Sequence, residues 1–79
     1  MWGIEFSQEA GNYAVDSHPY NEDVLIAIVA LNVSAKGLSD IDSFQQLENW
    51  CIWEIAGHSV VYEIDQDGHN LYIWIIKPL

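Results

Sequence analysis

GHSVVYEIDQDGHNLYIWI, residues 57–75, decides the fold. Val60, Tyr62 and Ile64 alternate with Ser59, Val61 and Glu63, the two-residue period of a strand with one buried face. Asp65, Gln66, Asp67, Gly68 and His69 carry the Asp-Gly signal of a hairpin loop. Leu71 to Ile76 is apolar almost throughout, the pattern of a central strand covered on both faces. Pro78 ends it, because proline has no N–H to give to a ladder.

Working outward, the alternation extends upstream. Cys51, Trp53 and Ile55 share one face of an expected strand and Trp50, Ile52 and Glu54 the other, with a turn at residues 56–59. At the N-terminus Trp2, Ile4 and Phe6 alternate with Gly3 and Glu5, a first strand. Ser7 then caps a helix whose first turn holds Glu9 and whose apolar side is Ala10, Tyr13 and Ala14. Gly11 weakens that helix and His18-Pro19 ends it. Asn21 followed by Glu22 and Asp23 starts a second helix running from about Glu22 to Leu31 or Val33. Its residues from Val24 to Leu31 are apolar right round the axis, as in a helix buried on more than one side. Residues 32–44 read as a loop, in which Ser39 and Asp42 resemble a capping box that permits one or two helical turns through Phe44 and Leu47. The expected order is strand, helix, helix, strand, strand, strand: an α+β domain with a helical hairpin packed on an antiparallel sheet.

Composition bounds the partners. The 79 residues read as one domain, 1–79, and a domain this small buries only about 60% of the surface its unfolded chain exposes. With 51% hydrophobic residues, 4 Trp and 4 Tyr, disorder is excluded, and a partner is expected to cover part of the apolar surplus. Against 12 Asp+Glu there are only 2 Lys+Arg, for a net charge of −10. Such a field repels phosphate backbones, and Lys36 and Lys77 can neutralise little, so no nucleic acid is expected as a direct partner. A basic protein suits the charge better, as do divalent cations, and solubility alone also accounts for it. Cys51 has no second cysteine to pair with, the N-terminus has no basic n-region, and no apolar run reaches the ~20 residues that span a bilayer. A cytoplasmic protein that engages no membrane is expected.

Other constellations carry no chemistry. Asp16, His18, Glu22 and Asp23 match no metal-binding spacing. Asp65, Asp67 and Gly68 begin like an EF-hand loop but lack the Glu at the twelfth position. Even with His58 and His69 as neighbours across the sheet, Cys51 lies residues away on a buried face, so no zinc site is expected. Neither a metal nor a cofactor is called for. Cys51 alternates with the core residues Trp53 and Ile55, which makes it packing and not a nucleophile.

Ile4, Phe6, Ser7, Glu9 and Ala10 at one end, and Val60, Val61, Tyr62, Glu63, Ile64 and Asp65 at the other, together with the element order, resemble the RelE/ParE superfamily of type II toxins over nearly the whole chain. That family opens on a strand of the form I-x-F-S-x-E-A. It closes on W-R-L-R-V-G-D-Y-R-V-I-Y-E-I-D and a final apolar strand. Aligned without gaps from Asn49, the family's usual arginines fall on Ile52, Glu54 and Ser59. In the ribonuclease branch, the resemblance implies, such side chains hold the scissile phosphate and stabilise charge developing at phosphorus. Losing one such donor costs about 3 kcal/mol of transition-state stabilisation, so losing the set implies little catalysis. His58, Tyr62 and Lys77 are the weak candidates for an altered catalytic site.

The resemblance thus implies a RelE/ParE-like protein of, or derived from, a toxin-antitoxin module, acting by protein–protein binding without ribonuclease activity. One alternative is an endoribonuclease toxin with an altered active site; another is an acidic interaction protein or nucleic-acid mimic. The expected partner is an antitoxin-like protein or a second copy of the chain. It would cover Val24, Ile28 and Leu31 of the second helix, or Tyr72, Trp74 and Ile76, which strict alternation puts on one face of the last strand.

Overall fold

The computed structural model describes residues 1–15, 21–34, 37 and 43–79, and of residues 43 and 44 the backbone only. In chain order the elements are β1 (Gly3–Phe6), α1 (Gln8–Val15) and α2 (Asn21–Ala30), which tightens into a 3₁₀ turn at Leu31–Val33. Then come β2 (Ser43–Leu47), β3 (Trp50–Ile55), β4 (His58–Asp65) and β5 (Asn70–Pro78). The expected α+β architecture is present, with the helices on one face of a 5-stranded sheet of order β1-β5-β4-β3-β2. Strands β2 to β5 are joined as antiparallel hairpins, while β1 runs parallel to β5. The sheet is therefore mixed at one edge instead of wholly antiparallel.

Each element has a local cause. Ser7 caps α1 as the sequence suggests, its Oγ accepting from the Ala10 N–H at 3.1 Å, which satisfies an orphan donor of the first turn. Asn21 ties the two helices together, its Nδ2 donating to the Tyr13 carbonyl at 2.7 Å. Between β3 and β4 both Ala56 (φ 53) and Gly57 (φ 73) have positive φ, the geometry of a two-residue turn whose twist matches the flanking strands. The expected helix end at His18-Pro19, the acid-histidine group at Asp16 and His18, and the capping pair Ser39 and Asp42 lie outside the described residues.

Two expectations are corrected here. The stretch through Phe44 and Leu47 is not helical: it forms β2, paired antiparallel to β3 from Ser43 opposite Glu54 to Leu47 opposite Trp50. A capping signal is worth about 1 kcal/mol, and the ladder that β2 makes with the otherwise unpaired edge of β3 outweighs it. The last strand, moreover, is interior as expected, between β1 and β4, but among the described residues it is covered on one face only.

The last strand also breaks strict alternation. Tyr62 pairs with Ile73 and Val61 with Ile75, so Trp74 is the extra residue of a β-bulge. Leu71 and Ile73 point to the helices before the bulge and Ile76 does so after it, while Trp74 and Ile75 both fall on the opposite side. Ser7 holds this bulge: its N–H donates to the Ile73 carbonyl at 2.8 Å and its hydroxyl to the Trp74 carbonyl at 2.6 Å.

Between helices and sheet lies one core, formed by Trp2, Ala10, Val24, Ile28, Leu31, Cys51, Trp53, Val60, Tyr62, Ile64, Leu71, Ile73 and Ile76. Gly37 enters it from the connection before β2. Its φ is +72°, and a Cβ there would come within 2.8 Å of Leu71, so only glycine fits without strain. The Gly37 carbonyl accepts a 2.7 Å hydrogen bond from the Tyr62 hydroxyl.

Candidate functional site

With the helices on one face, the other face of the sheet is left open among the described residues. The registers place across it Trp50 beside Glu63, Ile52 beside Val61 and Glu54 beside Ser59. Tyr72 lies next to Glu63, Ile75 next to Val61 and Lys77 next to Ser59. Ile52, Glu54 and Ser59, the positions on which the toxin family's arginines fall, therefore all lie on this one open face, and none is basic.

The face has an aromatic middle and an acidic end. Trp74, 39% exposed, lies 4.5 Å from Tyr72 edge-on and 5.8 Å from Trp50 at a 33° tilt, ring centre to ring centre. Beside them is a hollow of about 410 Å³ lined by Ser7, Glu9, Trp50, Val61, Trp74 and Ile75. A second hollow, about 480 Å³, is bounded by Glu5, Glu63, Asp65, Asp67 and Tyr72 among others. Glu63 stands between the two. Its Oε1 accepts from the Trp74 indole N–H at 3.3 Å and its Oε2 from Asn49 Nδ2 at 3.0 Å, so the carboxylate is held in one orientation. Among the described residues Lys77 is the one lysine or arginine.

The three weak catalytic candidates are not brought together. His58 is 1% exposed and sits on the helix side, where its Nδ1 donates to the Ala56 carbonyl at 2.8 Å and its Nε2 accepts from the Tyr13 hydroxyl at 2.6 Å. Both ring nitrogens are thus engaged in fastening the β3–β4 turn to α1. Tyr62 is buried four residues along the same strand, about 13 Å away at strand rise. Burial pushes its phenol, and the neighbouring Cys51 thiol, up from their ordinary values. Lys77 is exposed on the open face. His69 stacks on Trp2 with ring centres 4.0 Å apart, at the opposite end of the β4–β5 hairpin from His58. Among the described residues no three His, Cys, Asp or Glu side chains gather as metal ligands would.

The partner-binding candidates divide by side. Val24, Ile28, Leu31 and Ile76 fill the chain's own core and present no surface to another molecule; the bulge is the reason for Ile76. Tyr72 and Trp74 lie on the open face as expected. What α2 turns outward is Ile26 and Val29, 60% and 52% exposed, which with Leu25, Ala30 and Asn32 line a shallow hollow of about 390 Å³. A helix apolar all round does not announce which stripe faces inward. Glu63 and Ser7 were missed as site residues, although Glu63 alternates with Tyr62 and Ile64 and so belongs to the outward set.

The helical hairpin packed on one face of a mixed sheet of this order defines a RelE-like α+β fold. The chain superimposes on the crystal structure of the isolated E. coli RelE toxin with a TM-score of 0.73, over 99% of this chain and 84% of that one, at 9% sequence identity. At that identity the likeness concerns the fold. No family profile matches the chain, and no curated protein does. Among the described residues no helix is long and apolar enough to cross a membrane.

Proposed function

We propose that this chain is a RelE-like protein, of or derived from a toxin-antitoxin module, that works by binding another protein and does not cleave RNA. The carrying observation is the open face, where Ile52, Glu54 and Ser59 stand among Trp50, Val61 and Trp74. Phosphoryl chemistry on RNA needs cationic groups where charge develops at phosphorus. This face offers Lys77 at its margin, an aromatic and apolar middle, and carboxylates at its far end. A surface carrying exposed tryptophan and few cations suits protein contact, since aromatic anchors dominate such interfaces. The outward stripe of α2, with Ile26 and Val29, gives the partner a second apolar contact.

The test is fluorescence anisotropy of a labelled single-stranded RNA titrated with the purified chain at about 0.15 M salt, followed by a denaturing gel. No binding and an intact oligomer are expected. A cleaved oligomer would contradict the proposal.

A further inference from the structure

Resting on the protein-binding reading, we propose that the open sheet face is a docking surface for an arginine-bearing polypeptide segment of the partner. One guanidinium would lie against the Trp74 and Trp50 rings and pair with Glu63. Charge selects this occupant. The chain carries −10 overall, and Glu5, Glu9, Glu63, Asp65 and Asp67 border the two hollows. A second copy would set one acidic face against another and is repelled, as is a nucleic-acid backbone.

The geometry supports arginine in particular. Glu63 is oriented by Trp74 and Asn49, and each of its oxygens keeps a further acceptor direction. A carboxylate so fixed takes a planar guanidinium through paired hydrogen bonds, which a compact ammonium cannot match. The exposed indole of Trp74 adjoins that carboxylate, and a guanidinium stacked on an indole gains cation–π attraction. The apolar hollow between Trp50, Val61, Trp74 and Ile75 then receives the segment's neighbouring aliphatic side chain.

The test is a tryptophan-fluorescence titration with a blocked peptide of alternating arginine and alanine, set against the same length of alternating glutamate and alanine. Binding of the arginine peptide alone, weakening as salt rises, is expected. Glu63→Gln and Trp74→Leu, each checked for native circular dichroism, are expected to weaken it about tenfold. Glu22→Gln makes the same charge change on α2 and is expected to leave it within about twofold, since only net charge links that site to this face. Equal weakening by Glu22→Gln and Glu63→Gln would overturn the proposal, because net charge alone would then account for binding. So would a self-associating chain whose dimer Trp74→Leu dissociates, which would make a second copy the occupant. An arginine peptide that fails to bind while RNA stays intact overturns this inference and leaves the protein-binding reading standing; cleaved RNA overturns that reading as well.

Discussion

Ser7→Ala removes two interactions at once. The hydroxyl accepts from the Ala10 N–H at 3.1 Å as the cap of α1 and donates to the Trp74 carbonyl at 2.6 Å at the bulge. Loss of a serine cap costs about 1 kcal/mol, and loss of a partly solvated hydrogen bond adds about 0.5 kcal/mol. The expected destabilisation is therefore about 1.5 kcal/mol, which in a domain of this size lowers Tm by roughly 6–12 °C. Ser7→Asp separates the parts: the carboxylate still accepts from Ala10 but has no proton for Trp74, so it recovers the cap and leaves the bulge held by the main-chain bond to Ile73 alone. Thermal and urea melts by circular dichroism give the energies, and the difference in tryptophan emission between the parent and Trp74→Leu gives the share that reports Trp74. If Ser7→Ala melts within about 1 °C of the parent, the Ser7 hydroxyl neither caps α1 nor secures the bulge, and the reasoning is refuted.

Gly37→Ala should destabilise by about 2 kcal/mol or more, because its φ of +72° disfavours any Cβ and Leu71 stands 2.8 Å from where one would be; an unchanged urea midpoint would refute the close approach. His58→Ala should cost about 2–3 kcal/mol by stranding the Tyr13 hydroxyl and the Ala56 carbonyl, whereas Lys77→Ala should leave the melt unchanged; equal melts for the two variants would remove His58 from its fastening role. Stability should also fall in alkali. Burial raises the Cys51 thiol from 9.0 and the Tyr62 phenol from 10.0, so above about pH 9 the unfolded chain sheds protons that the folded chain keeps. Their contribution is complete below that pH and declines as pH rises, by up to about 1.4 kcal/mol per pH unit for each group. Urea melts at about pH 8 and about pH 10 should show this decline, smaller in Cys51→Ala; a flat profile would contradict it.

The fold was largely legible because period-two alternation is a direct imprint of a one-sided sheet. Cys51 and Trp53 in β3, and Val60, Tyr62 and Ile64 in β4, all point where alternation sends them. The failures have physical causes. β2 was hidden because its apolar residues Phe44 and Leu47 stand three apart, a helical spacing that agrees with the Ser39 and Asp42 capping signal, so the short hairpin it makes with β3 left no period-two imprint. Ile76 was assigned to the wrong face because a bulge carries no composition cue at Trp74, and the serine that secures it is distant in sequence. For the candidate site, the missing arginines at Ile52, Glu54 and Ser59 were visible in the sequence. That all three share a face with Trp50, Trp74 and a fixed Glu63 required the register.

The most direct test of the central claim, the proposal that this RelE-like fold with its aromatic and acidic open face binds protein and does not cleave RNA, is inducible expression in a bacterial host. Growth and bulk messenger RNA are followed while a gel of the soluble fraction confirms that soluble protein accumulates. Intact messenger RNA with the protein present is expected. Growth arrest accompanied by RNA cleavage would contradict the claim and show that this face, without its arginines, still performs phosphoryl chemistry.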